Sequence, residues 1–220
     1  RLSLVGSEMC IRDRYNDKGM DLSADSWTAR KYGKDTSWAF NVGKLGYGLT
    51  VATTLGFGTD ANNKYPTTYF RNTFKATGIA KYDSLVFYAN VDDAAVFYIN
   101  GVEVKRSNLP AGTIAYNTMA SADITGADQN KYMRFVVKNT LLDNDTNTIA
   151  VEVHQFAASS PDLVFDLEVV GKLPMPAVSA FSIKKNSAWS ASDWGQDLGT
   201  AWKNVTYDAA AWMHGNGVLG

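Results

Sequence analysis

Between residues 64 and 170 the chain alternates short β-rich runs with turn residues. Residues 68–75 (TYFRNTFK) put Tyr69, Arg71, Thr73 and Lys75 on one side of a strand and Phe70, Asn72 and Phe74 on the other, with Phe70 and Phe74 as core residues. Residues 84–91 (SLVFYANV) are apolar and β-rich, as in a central strand, and Asp92 and Asp93 break the run. Residues 95–99 (AVFYI) and 102–106 (VEVKR) flank Asn100 and Gly101. Asn-Gly between two such runs predicts a β-hairpin, because a type I′ turn needs positive φ at both central residues.

A loop follows over residues 108–120, with Pro110 and Gly112. Residues 131–138 (KYMRFVVK) form another strand and residues 144–147 a turn. Residues 148–154 (TIAVEVH) alternate strictly, with Ile149, Val151 and Val153 on one face and Ala150, Glu152 and His154 on the other. Residues 155–162 form a loop and residues 163–170 (LVFDLEVV) the closing strand. Pro174 and Pro176 lie in a linker region.

Six or more β-runs without an amphipathic helix predict an all-β, antiparallel sandwich or jelly roll. Its expected inward residues are Phe70, Phe74, Leu85, Phe87, Val96, Tyr98, Phe135, Val137, Ile149, Val151, Phe165 and Leu167. At about 1.5–3 kcal/mol for each buried side chain, this set stabilises a domain without a disulfide.

Composition narrows the partners. The 21 basic and 22 acidic side chains leave no basic surface for nucleic acid or an anionic membrane. No apolar run reaches the roughly 18–20 residues of a membrane-spanning helix. Residues 4–13 (LVGSEMCIRD) resemble a translated transposase-type sequencing-library adapter, so residues 1–14 are set aside as an expected artefact or tail. Cys10, the single cysteine, falls within that segment, so thiol or disulfide chemistry is not expected.

Two segments share a pattern. Trp38, Gly43, Leu45 and Gly46 repeat the spacing of Trp212, Gly217, Leu219 and Gly220, and Trp27 and Trp202 precede them by eleven and ten residues. The expected organisation is a sandwich module over 15–172, a linker over 173–182 and the truncated start of a second copy over 183–220. The tryptophans suit sugar stacking, but recurrence at a domain's opening favours core anchors, with Gly43, Leu45 and Gly46 as a fixed turn beside an apolar plug.

Several segments together resemble a galactose-binding-like jelly-roll module of large secreted bacterial proteins, often found beside calcineurin-like metallophosphatase domains. They are Leu45-Gly46-Tyr47-Gly48, Tyr69-Phe70-Arg71 with Phe74, and Asp92-Asp93 followed by Phe97-Tyr98-Ile99-Asn100-Gly101 with Glu103, Arg106, Asn108 and Pro110. Asn147 with Ile149-Ala150-Val151-Glu152-Val153-His154-Gln155, and Ser159-Ser160-Pro161-Asp162-Leu163 with Phe165-Asp166, complete the set. Ala94 departs from the pattern's usual glycine, and Pro161 looks inserted. The resemblance is also to the sugar-binding domain that precedes many β-galactosidase barrels. It implies a secreted or cell-surface setting and binding or structural roles more than catalysis, although fold analogy is a weak warrant for function.

Asp92, Asp93, Glu103, Glu152, Asp162 and Asp166 could supply the two carboxylates of a glycosidase. Turn formation by Asp92 and Asp93, and ion pairing of the others with Arg71 or Arg106, is the favoured alternative. No cofactor is required. A structural calcium, which the resemblance places in an opening loop, has candidate ligands in Asp17, Asp21 and Asp25, with Asp193 and Asp197 as counterparts in the second copy. His154 stands without a second histidine outside the 183–220 segment, which excludes the usual zinc patterns, and it suits pinning a loop with Gln155, Ser159 and Ser160. Neither a nucleophile elbow nor a phosphate loop is present.

For sugar binding, the candidate residues are Tyr47, Arg106, Asn108, Tyr116 and Asn117, with Tyr65 nearby in sequence; Arg106 and Asn108 equally suit loop anchoring. Three readings follow: a carbohydrate- or matrix-binding accessory module with a polysaccharide or cell-surface glycan as partner, a structural spacer among other domains of the same polypeptide, and the non-catalytic part of a secreted hydrolase.

Overall fold

The structure, a computed structural model, describes residues 13–33, 38–174, 187–192 and 195–216. Two compact units divide at Pro174 and Met175. The first is an antiparallel β-sandwich. The strands of its first sheet are β1 (Asp13–Asn16), β2 (Ala39–Asn41), β5 (Thr67–Lys75), β7 (Ala94–Ile99), β8 (Val102–Ser107) and β10 (Thr146–His154). They run in the order β2-β1-β5-β10-β7-β8. The second sheet contains β3 (Leu45–Tyr47), β4 (Thr53–Thr54), β6 (Ser84–Asp92), β9 (Met133–Lys138) and β11 (Leu163–Lys172). Its order is β4-β3-β11-β6-β9, with β3 and β4 paired in parallel.

β10 organises the first sheet, pairing with β5 from Thr146↔Lys75 to His154↔Thr67 and with β7 from Ile149↔Ile99 to His154↔Ala94. Its strict alternation sends Ile149, Val151 and Val153 into the core between the sheets. There they meet Phe70 and Phe74 of β5 and Leu85, Phe87 and Phe165 of the facing sheet, with the rings of Phe70 and Phe165 4.1 Å apart. The predicted hairpin forms: Asn100 and Gly101 take φ of 50° and 90° between β7 and β8.

β7 faces the opposite way from the sequence expectation. Ala95, Phe97 and Ile99 enter the core, while Tyr98 packs against a separate cluster of Leu22, Trp27, Trp38, Tyr69 and Ala150. Val96, a cross-strand partner of Glu152, shares the face of Tyr98. Residues 94–99 are apolar or aromatic at every position, so a period of two cannot select the buried face, whereas pairing with β10 does. Leu45 and Gly46, expected in a turn, lie in β3 opposite Phe165 and Val164. Gly46 allows this close pairing, since a Cβ there would lie 2.0 Å from the Leu163 carbonyl oxygen.

β1 takes in Asp13 and Arg14, which pair with Asn41 and Phe40 of β2. A strand is joined through its backbone groups and accepts such residues regardless of side chain. The second unit contains the hairpin β12 (Ala188–Ala191) and β13 (Met213–Asn216). Trp212 immediately precedes β13 as Trp38 precedes β2. Cys10, Asp193, Gly217, Leu219 and Gly220 lie outside the described residues. Among the described residues no helix is long and apolar enough to cross a membrane.

Candidate functional site

The face of the first sheet turned away from the core carries an aromatic and acidic surface. Cross-strand partners share a face of a sheet. Tyr69, Glu152, Val96 and Arg106 therefore form one row across β5, β10, β7 and β8, and Arg71, Ala150, Tyr98 and Glu103 form the next. The opening segment covers part of both rows. Trp27 sets its ring 4.8 Å from Tyr69, 5.7 Å from Tyr98 and 6.2 Å from Trp38. Both tryptophans are buried, at 4% exposure each, and act as core anchors here. Arg71, itself 2% exposed, donates from Nη1 to the carbonyls of Trp27 and Ala29, both at 3.0 Å, fixing the segment on the sheet.

Beside this covered area three tyrosines stay half-buried: Tyr65, Tyr98 and Tyr116. Tyr98 and Tyr116 pack against the Trp27 cluster. Tyr65 lies against Gly19, where a Cβ would come within 2.3 Å of its ring. The Tyr98 hydroxyl donates to Glu152 Oε1 at 2.6 Å. Burial first, then the Glu152 charge, pushes this hydroxyl well above the ordinary tyrosine range, so it stays protonated and a donor. Burial also raises the Tyr116 hydroxyl, with Tyr65 and Asp21 adding through their charges. Tyr69 is raised by burial too, and the charges of Glu152 and Asp21 both act on it.

His154 braces the floor. Its Nδ1 lies 2.8 Å from the Thr118 carbonyl oxygen and 3.0 Å from Thr67 Oγ1, and its Nε2 faces Glu152 Oε2 at 3.5 Å. The carbonyl can only accept, so Nδ1 carries a hydrogen. Thr67 Oγ1 also donates to the Tyr116 carbonyl. His154 thus ties β10 to the loop bearing Tyr116, whereas the sequence grouped it with Gln155, Ser159 and Ser160.

The remaining sugar-binding candidates separate. Arg106 pairs with both oxygens of Glu103, at 3.0 and 2.9 Å, and donates to the carbonyls of Pro110 and Gly112, so it anchors the loop. Asn108 Nδ2 donates to the carbonyls of Asp93 and Ala122, closing the loop's base. Tyr47 is buried on β3, with its hydroxyl on Gln155. Asn117 is exposed on the same loop as Tyr116. Sequence reasoning missed Tyr98, whose place on this face follows from the pairing of β7 with β10. It also left Glu152 among candidate acids rather than binding groups.

The acidic residues form several groups rather than one. Glu103 pairs with Arg106, Glu152 with Tyr98, and Asp166 accepts from Tyr132. Asp92, Asp93 and Asp162 gather where β6 passes into β7. Asp92 ends β6 and Asp93 alone separates the two strands, so the pair makes a buried junction rather than an exposed turn. Asp93 accepts from the backbone N–H groups of Ile124 at 2.9 Å and Phe156 at 2.7 Å. Gln129 Nε2 bridges Asp92 at 3.1 Å and Asp162 at 2.7 Å. At 1% and 4% exposure, Asp92 and Asp93 are closed to a glycoside.

The opening-loop carboxylates take separate partners. Asp17 accepts from the Gly56 N–H at 2.6 Å and faces Lys18 at 3.2 Å, Asp21 accepts from the Ser23 N–H, and Asp25 accepts from the Tyr32 hydroxyl. Asp197 accepts from the Gly199 N–H. Among the described residues no three acidic, histidine or cysteine side chains converge to hold a metal ion.

No family model matches the chain. No curated protein matches it. Among solved structures, it is similar to a β-glucuronidase from Ruminococcus gnavus in complex with D-glucaro-d-lactam, with TM-score 0.41, 8% identity, and 65% of this chain and 20% of that chain covered. An uncultured Clostridium sp. β-glucuronidase gives TM-score 0.41 and 11% identity, covering 65% of this chain and 21% of that one. This chain spans about a fifth of the length of those enzymes.

Proposed function

We propose that the sandwich is a non-catalytic, carbohydrate-binding accessory module of a larger secreted protein, with its binding face formed by Tyr65, Tyr98 and Tyr116. The observation that carries this reading is the group of half-buried tyrosines on a rigid floor, with the Tyr98 hydroxyl oriented by Glu152. Aromatic rings offer apolar faces to sugar C–H groups, and fixed hydroxyls and carboxylates at their edges pair with sugar hydroxyls.

A spacer role is the second reading, supported by the burial of Trp27 and Trp38. Affinity electrophoresis of the 220-residue chain in gels containing different soluble polysaccharides separates the two. Binding predicts retardation in one glycan class, lost in Tyr116→Ala. Unchanged mobility in every gel, from folded protein, would establish the spacer reading instead.

A further inference from the structure

We propose that the dry acidic corner at the β6–β7 junction is a proton-held clasp. It closes the base of the 108–124 loop in acid and loosens it as the proton is lost. The inference rests on the reading of Tyr116 as a binding residue only in its consequence for glycans, because the clasp itself stands on other contacts.

Asp93 is the hub. Its carboxylate holds Ile124 at the end of the loop and Phe156 after β10, and its carbonyl receives Asn108 at the loop's start. Asn108 also spans to the Ala122 carbonyl, and its own carbonyl receives the Ser121 N–H. Both ends of the loop that carries Tyr116 therefore close on one aspartate.

Asp92 stands beside that hub, buried at 1% exposure, and shares the Gln129 Nε2 donor with Asp162. Carboxyl groups gathered this closely and away from water do not all stay charged. Both Asp93 oxygens accept backbone N–H groups, which favours its charged form, so Asp92 is the member that holds the proton. Its Oδ1 is buried without a hydrogen-bond partner, which suits a neutral carboxyl better than a charged one. Burial, then the neighbouring Asp93 and the charge of Asp162, push the Asp92 carboxyl up to about 8. The Gln129 hydrogen bond alone acts the other way on Asp92 among the causes named, and more weakly. Asp162 comes from the loop before β11 and Asp123 acts on Asp93 from the 108–124 loop, both with the same sign. Gln129, from the turn over residues 126–130, is neutral, and burial holds the Tyr47 hydroxyl above its ordinary range.

The sign follows from proton linkage. The closed form keeps a proton that the open, hydrated form gives up near 3.8, so closure weakens as pH rises from about 4 to about 8 and no further above. One linked proton allows at most about a tenfold change in the closed-to-open ratio per pH unit. Glycan binding through Tyr116 should therefore be tighter at acid pH than at alkaline pH.

Limited proteolysis of the 220-residue chain between pH 5 and 9.5 tests this. Cleavage between residues 108 and 124 is followed by mass spectrometry, with rates normalised to an unstructured peptide at each pH. The wild-type rate should climb toward pH 8 and level above it. Asp92→Asn, which stays neutral at every pH, should stay at the acid rate throughout. A flat wild-type profile, or the same climb in Asp92→Asn, overturns the clasp. Should Asp92→Asn fail to fold, Asp162→Asn should move the plateau to lower pH, and an unmoved plateau overturns the clasp equally. A pH-dependent loop without glycan binding at any pH upholds the clasp and removes the binding role of Tyr116.

Discussion

The guanidinium of Arg71 donates to the carbonyl oxygen of Trp27 at 3.0 Å, joining the middle of β5 to the segment that covers the sheet's outer face. Arg71 also reaches the carbonyls of Ala29 and Arg30, and its guanidinium lies over the Tyr32 ring at 5.4 Å. Arg71→Ala should therefore destabilise the sandwich by about 3 kcal/mol or more, since charged hydrogen bonds and buried contacts go together. Arg71→Lys should recover only part, because one ammonium cannot reproduce the planar fork. Urea denaturation followed by tryptophan fluorescence measures both, and equal stability of wild type and Arg71→Ala would show that the segment is held by other contacts.

Trp27 fills the space between Trp38, Tyr69 and Tyr98. Trp27→Ala should cost about 3–5 kcal/mol by leaving a cavity under the tyrosine face. A loss below about 1 kcal/mol in equilibrium unfolding would contradict its role as a core anchor.

Asn147 is fully buried and supplies four hydrogen bonds: it accepts from Asn100 Nδ2 and the Asp143 N–H, and donates to the carbonyls of Asp143 and Asp145. These tie the β9–β10 connection to the Asn100 turn. Asn147→Ala should destabilise by about 2–4 kcal/mol, from several lost bonds and unsatisfied groups. Thermal unfolding of the variant beside wild type provides the check, and an unshifted midpoint would sink the claim.

Gly46 pairs β3 with β11 at a position where a methyl group meets the Leu163 carbonyl oxygen at 2.0 Å. Gly46→Ala should separate these strands, because backbone is the obstacle and no flexible side chain can yield. Soluble yield and amide exchange protection around residues 45–47 and 163–165 report it, with native-like protection as the contrary result.

Much of the sandwich was legible. The strict alternation of residues 148–154 located the core face of β10, and Asn100-Gly101 located the hairpin, since both signals are local. The orientation of β7 was not, because residues 94–99 offer apolar side chains to both faces. Strands β1 to β4 are two to four residues long and exist through non-local pairing, so no local period marks them. The tyrosine face depends on that same orientation: with Tyr98 assigned to the core, its bond to Glu152 could not be foreseen. Asp92 and Asp93 looked like turn residues because their composition is that of a turn, whereas their burial comes from the loops that fold over them.

The most direct test of the binding face is titration of the chain with a retained polysaccharide, comparing wild type with Tyr116→Ala and Tyr98→Phe by isothermal calorimetry at pH 6. The account predicts that Tyr116→Ala loses at least about tenfold in affinity, as removal of a stacking ring should. Tyr98→Phe, which keeps the ring but frees Glu152, should lose less. Wild-type affinity in both variants, with folding intact, would place binding elsewhere on the molecule and contradict the account.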